Sequence, residues 1–328
     1  MIFRGVFFFV SCIRMFKRQL AIALAASSLA FAGEHWNLDA GDVSMKYLSM
    51  QTSARSAALS GAGVADATRA SDVSRNPLAM NGVIEAEAGI NHIIFPEYTA
   101  DDYTTAYVVL PFTAFNYPLT FSAGAEFLGY DGIEGRDEEG FKTSDYGAYA
   151  WTLQAGLGNR SKAFNWAATA RFSQQTIDDE SAIALLGDIG GAFHVNRYFA
   201  FGATLTNAGY MGDYDGEKEH APMALQAGIT GIVPIAELFN LASIWNIHLS
   251  ADAYRRADME DPEWRFGGEV NYMETLMLRI GYAARPDTED GVSAGIGFNF
   301  GMIGFDYAYS PKKAFDGGYH YLTLGLKF

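Results

Sequence analysis

A chain of 328 residues could form two ordinary domains, but large barrels also reach this length as one unit, so length excludes little. Composition excludes more: 49% hydrophobic residues, 14% aromatics and 35 glycines stand beside a mean hydropathy of only +0.01. Apolar residues are therefore diluted evenly with polar ones, as in membrane barrels and unlike bundles of spanning helices. With 38 acidic against 23 basic residues the formal charge is −15, which argues against nucleic acid as a partner.

The first 32 residues differ from all that follow. Lys17 and Arg18 precede an apolar run from Leu20 to Phe31, ending in Ala30-Phe31-Ala32. This pattern predicts a secretory signal peptide cleaved between Ala32 and Gly33. Met15 opens a basic start of its own, so translation from Met1 and from Met15 are both compatible with export. Cys12, the one cysteine, falls in the leader, which predicts a mature chain without thiol, disulfide or lipid anchor. Arg4, Arg14, Lys17 and Arg18 leave with it, bringing 23 basic residues to 19 against 38 acidic ones, a net charge of −19.

Residues 33–87 show no alternation. Tyr47-Leu48 is followed by Ser53-Ala54-Arg55-Ser56-Ala57-Ala58-Leu59-Ser60-Gly61-Ala62-Gly63, then by Ser74-Arg75-Asn76-Pro77-Leu78-Ala79. Small residues and glycine let a chain pack in a narrow space, so the segment is expected to plug a lumen as a hatch; a flexible periplasmic arm is the alternative.

From about Ala88 one pattern holds to the end: 8–11 alternating residues, then a turn or loop. Val292, Ala294, Ile296, Phe298 and Phe300 alternate with Ser293, Gly295, Gly297 and Asn299, for instance. Two faces of opposite polarity require two different surroundings. Strands are expected near 88–95, 103–112, 118–128, 146–158, 164–173, 184–194, 199–207, 222–232, 245–254, 264–272, 276–284, 291–300, 302–309 and 320–328, an even total of about 14. The fold class is thus all-β, a transmembrane antiparallel barrel in a bacterial outer membrane. No stretch suits a spanning helix, since even Ala221 to Ala236 contains Gln, Thr, Pro and several Gly.

The connections sort into two sets. One is longer and acidic, as in Gly129 to Asp145, Gln174 to Ala182, Ala208 to Ala221 and Arg255 to Glu263; these are expected outside the cell, facing lipopolysaccharide. The other is short, as in Gly158 to Ala163, Val195 to Tyr198 and Tyr272 to Thr275, which places both termini in the periplasm. The longer exception, Ile232 to Ile244, has Ile235, Leu238, Leu241 and Ile244 at helical spacing. In the last segment Leu322, Leu324, Leu326 and Phe328 share one face, the ending read by the barrel-insertion machinery.

If the apolar faces meet lipid, the opposite faces line the lumen and carry Glu126, Arg171, Asp188, His194, His248, Asp252, Arg265, Glu269, Arg279 and Asp306. A charge facing lipid at mid-depth costs roughly 2–4 kcal/mol, so one-sided placement is expected. These groups either pair with one another across a packed lumen or line a solute path. His194 and His248 belong to no nucleophile or metal motif, so neither a catalytic nor a metal site is expected. Gly61-x-Gly63 and Gly295-x-Gly297 lack the strand–helix context of a dinucleotide site, and no cofactor is expected. The acidic loop from Asp213 to Glu219 does not match a twelve-residue calcium loop.

The run around Arg55, Gly61 and Gly63 with the following Asn76-Pro77 resembles the hatch of the PorV/PorQ proteins, within the wider group of FadL-type fatty-acid transporters. Phe305-Asp306-Tyr307-Ala308-Tyr309-Ser310 and Tyr319 to Phe328 are similar to that family's closing hairpin, and Leu205-Thr206-Asn207-Ala208-Gly209 to another strand end. The sequence departs from the pattern at Leu78, where Ala is usual, and at Arg75, where an aromatic is common. The resemblance implies a 14-stranded barrel with its hatch in the lumen. It also implies service in type IX secretion, with secretion-system components and the C-terminal domains of exported proteins as partners. The FadL-type architecture implies the alternative, transport of hydrophobic small molecules, with an apolar pocket beside the hatch and a lateral gap in the wall. A sealed structural barrel is a third possibility.

Overall fold

The computed structural model describes residues 38, 42–66, 69–96, 100, 102–136, 140–213, 216, 218–233, 244–285, 291–312 and 317–328. The expected leader, the cleavage point at Ala32 and Gly33, and the helix expected within 234–244 lie outside them, apart from Ile244.

Fourteen antiparallel strands close into one barrel. In chain order they are β1 (Glu87–Ile94), β2 (Asp102–Ala114), β3 (Tyr117–Ile133), β4 (Tyr146–Asn159), β5 (Phe164–Ile177), β6 (Glu180–His194) and β7 (Phe199–Met211). They continue as β8 (Ala224–Val233), β9 (Trp245–Arg256), β10 (Glu263–Tyr272), β11 (Leu276–Ala284), β12 (Gly291–Phe300), β13 (Ile303–Pro311) and β14 (Gly318–Lys327). Each strand pairs with its sequence neighbours, and β1 closes the ring on β14 with Ile90 opposite Leu324 and Asn91 opposite Thr323. Closure leaves no unpaired edge, the condition for carrying strands through lipid.

The period-two pattern sets the register of faces. On β14 Tyr321 and Thr323 are buried inside while Leu324 and Leu326 are exposed, and Phe328 beyond them donates its N–H to the Ala86 carbonyl at 2.9 Å. On β4 Thr152 and Gln154 point inward, Leu153 and Leu157 outward. The outer surface carries Phe121, Leu153, Ile189, Leu249, Ile280 and many like them, an apolar exterior that water would not tolerate and lipid does.

Several strands run further than expected at the long-loop end. The connection expected over Gln174 to Ala182 is a two-residue turn: Ile177 pairs with Glu180 around Asp178, which has φ 53°. Thr176 and Ser181 join hydroxyls there at 2.8 Å. Above the bilayer the outer face no longer needs apolar residues, so the alternation fades while the ladder continues. On β7 a bulge opposite Asp188 leaves Asn207 at φ 56°, and its N–H donates to Asp188 Oδ1 at 2.8 Å.

The hatch lies in the lumen. Val43 forms a parallel bridge with His220, Leu38 N–H donates to the Ala257 carbonyl at 3.2 Å, and Lys46 reaches Asp258 at 3.5 Å. The described part of the N-terminal segment thus starts at the long-loop end, opposite Phe328, while the expected mature terminus, Gly33, lies outside the described residues. From there the chain passes a 3-10 turn (Lys46–Ser49) and the short helix α1 (Ala54–Ala58), and reaches Asp66 near the short turns. Two further 3-10 turns (Ala70–Asp72 and Pro77–Gly82) lead to β1. Contact with the wall is close enough to exclude side chains: a Cβ on Gly281 would lie 2.3 Å from the Leu59 carbonyl carbon, and one on Gly202 would lie 2.9 Å from Ala65 Cα.

Candidate functional site

All ten strand-borne ionisable groups expected in the lumen point there. Eight are buried, while His194 and His248 are half-buried. They do not simply pair across the lumen, because the hatch stands between them and supplies much of their partnership.

Arg55 is the hub. Ser53 caps α1 by accepting the Ser56 N–H, which fixes the direction in which Arg55 leaves the helix. Its guanidinium reaches Asp66 Oδ2 at 2.6 Å, Asp72 Oδ2 at 3.1 Å and Glu269 Oε2 at 3.1 Å. From Glu269 the chain of charges continues to Arg279 at 2.6 Å and thence to Asp306. Burial alone would raise the Asp66 carboxyl; Arg55 beside it and the hydrogen bond from His248 instead hold it below the usual carboxylate range.

A second set surrounds Arg75. Its guanidinium meets Glu126 in a fork, Nη1 to Oε1 and Nη2 to Oε2, each at 2.8 Å, and Tyr103 donates to Glu126 Oε2 at 2.7 Å. Arg171 donates to Asp188 Oδ2 at 2.7 Å, and also to the Ser74 carbonyl. Arg75 thus offsets the charge of Glu126, which lies buried opposite it.

Asp252 holds the glycine turn of the hatch. Its Oδ2 accepts the N–H groups of Gly63 and Val64, both at 2.8 Å, and the Gln226 amide at 2.7 Å. Gly61 and Gly63 adopt φ of 79° and 106°, the left-handed region that lets both N–H groups converge on one carboxylate. Asn76 accepts the Leu78 N–H at 3.0 Å and donates to the Val64 carbonyl at 3.1 Å, with Pro77 opening the next turn. Arg265 joins Glu263 at 2.6 Å and lies 3.7 Å above the Tyr254 ring. His248 Nδ1 lies 3.3 Å from Asp66.

Sequence reasoning gave no site role to Asp66, Asp72, Arg75 and Tyr103. A charge balance had the information: the lumen-facing set holds Glu126, Asp188, Asp252, Glu269 and Asp306 against Arg171, Arg265 and Arg279. The acid excess calls for cations from the hatch, where Arg55 and Arg75 supply them.

The wall shows no lateral gap among the described strands. Every neighbouring pair is hydrogen-bonded, with register shifts only at Tyr130/Ile133 and Gly187/Ile189. An apolar hollow of about 860 Å³ lies outside the barrel against Ile229, Leu249, Phe266 and Ile280, and a second cavity of about 580 Å³ lies beside the hatch, lined by Ala65, Asp66 and Gly82 together with Tyr198, Phe199 and Ile232 of the wall.

Scans against family models and curated proteins give no match. Among solved structures, the chain is similar to the toluene transporter TbuX of Ralstonia pickettii, at 13% identity over 84% of this chain and 98% of that one, with a TM-score of 0.56. It is also similar to the toluene transporter TodX of Pseudomonas putida, at 12% identity over 89% and 98%, TM-score 0.54. A Pseudomonas aeruginosa FadL homologue aligns at 13% identity over 84% and 98%, TM-score 0.50. At such identities the likeness is one of fold, that of a closed 14-stranded barrel. With its closed ladder and apolar exterior, the chain is a bacterial outer-membrane β-barrel.

Proposed function

We propose that this barrel admits hydrophobic small molecules, aromatic ones foremost, from its long-loop end. The observation that carries the reading is the division of the lumen into two layers. Toward the loops, Tyr47, Leu48, Ile93, Tyr103, Leu128 and Tyr321 form one apolar cluster, with Phe95, Tyr130 and Tyr319 packed at its margin. Tyr47 and Tyr103 meet edge-on at 6.2 Å, as do Phe95 and Tyr319 at 5.0 Å. The cluster itself is packed shut, so an apolar solute leaving water would meet its half-buried margin at Phe95, Tyr130 and Tyr319, gaining about 25 cal/mol per Å² buried, and aromatic edges favour aromatic solutes. Beneath it the ion-paired hatch blocks the lumen. With no lateral gap in the described wall, passage requires the hatch to shift.

The fold shared with toluene transporters supports this non-enzymatic reading. The type IX secretion role implied by the sequence resemblance gains no support from the fold comparisons, and the small-molecule reading takes precedence over it. The test is uptake of radiolabelled toluene by a Gram-negative host that lacks its own long-chain fatty-acid transporter and expresses this chain. Uptake should exceed the empty-vector control while uptake of a labelled hexose stays unchanged. Equal toluene uptake would contradict transport and leave a sealed structural barrel.

A further inference from the structure

The sorting of ionisable side chains into the lumen breaks along the seam where β14 meets β1. His92 on β1 and His320 on β14 lie on the outer face, in step with the exposed Ile90, Ile94, Leu324 and Leu326. His320 stands opposite Ile94, and His92 opposite Leu322. Each histidine is two residues from the long-loop end of its strand, so both face the outer leaflet near its polar boundary.

Each ring is held by a neighbouring strand. His320 Nδ1 meets the Tyr307 hydroxyl of β13 at 2.7 Å, and the rings of Tyr307 and Tyr309 flank it with centroids 6.0 and 5.0 Å away. On β2, Thr104 donates to Asp102 Oδ1 at 2.8 Å, and His92 Nδ1 lies 3.0 Å from Thr104 Oγ1 and 3.2 Å from Asp102 Oδ1. With two acceptors at Nδ1, His92 carries its proton there and keeps Nε2 as an acceptor. His320, receiving the Tyr307 hydroxyl, offers Nε2–H as a donor. Neither Nε2 has a partner among the described residues. A polar group on a wall that faces hydrocarbon is costly unless something polar meets it, and at this height that something is lipid headgroup.

We infer that the outer wall at β13, β14, β1 and β2 is a docking surface for the acylated amino-sugar backbone of an outer-leaflet glycolipid. Sugar hydroxyl and acyl-amide groups bond the two Nε2 atoms, a sugar ring rests on Tyr307 and Tyr309, and the fatty chains run down over Ile90 and Leu324. The surface reads sugar rather than phosphate: no outer position on these four strands carries Lys or Arg, and Lys327 of β14 falls on the lumen-side period. Because the site is on the outer wall, it holds whether or not the lumen admits solutes.

The test uses the full barrel purified in detergent and freed of host lipid, with bound lipid counted by native mass spectrometry. It is titrated with lipid A or with cardiolipin, which also carries several acyl chains and two phosphates but no sugar. The barrel should retain lipid A about tenfold more tightly than cardiolipin. The double variant His92→Leu, His320→Leu, which keeps that face apolar, should erase the preference. Tyr149→Leu, Tyr210→Leu, exposed aromatics near the long-loop ends of β4 and β7, should leave it intact. Heat resistance of the barrel on gels shows that each variant is folded. Equal retention of the two lipids by the parent, an unchanged preference in the histidine variant, or equal loss in both variants would overturn the proposal. So would a dimer of the parent that binds neither lipid and that the histidine variant dissociates, since the face would then belong to a second copy.

Discussion

Arg55 is the residue on which the hatch turns, because one guanidinium bonds Asp66, Asp72 and Glu269 together, all removed from water, with Arg279 sharing Glu269 and His248 sharing Asp66. Replacing it by Met leaves those carboxylates facing one another, and removing one partner of a buried pair costs roughly 3–5 kcal/mol. Hydrogen exchange of the hatch amides should then quicken while the strand amides keep their protection. Unchanged exchange over 53–66 would mean the hub contributes little. Asp66 gives the pH dependence. Its carboxyl is depressed in the folded state, so its contribution is complete above the ordinary carboxylate value near pH 4 and is lost as pH falls through the lower folded value. The hatch should loosen in that acid window, read as increased ionic current across a planar bilayer. Asp66→Asn should flatten that pH dependence; a variant with the same acid response as the parent would place the titrating group elsewhere.

At the scale of elements, alternation made the barrel legible and left the hatch dark. Fourteen strands, their faces and the inward direction of groups such as Glu126 and Asp306 all follow from period two, because lipid on one side enforces it. Strand ends above the bilayer were lost, as at Ile177 and Glu180, since nothing there demands an apolar outer face. The path of residues 42–86 has no period at all. It is fixed by pairings between distant residues, such as Arg75 with Glu126, and by contacts that register in sequence only as glycines on strands. Gly281 is the plainest of these, and Gly281→Val tests it. A side chain there collides with the Leu59 backbone, so hatch amides near 57–63 should lose exchange protection while the barrel retains its heat resistance. A Val variant with a fully protected hatch would show that the wall yields instead.

For the whole molecule, the proposed uptake rests on two layers of the lumen: an aromatic margin at the long-loop end where hydrophobic solutes would leave water, and an ion-paired hatch that would deny ions and sugars a continuous aqueous path. The separate ionic sets around Arg55 and Arg75 anchor different stretches of the hatch to different strands, so losing one should loosen it and losing both should release it. The most direct test is ionic current through the reconstituted barrel in a planar lipid bilayer at neutral pH, for the parent and for the double variant Arg55→Ala, Arg75→Ala. The parent should show no steady current and the double variant a lasting open conductance. A parent that conducts like an open water-filled pore, or a double variant that stays closed, would contradict a lumen sealed by an ion-paired hatch.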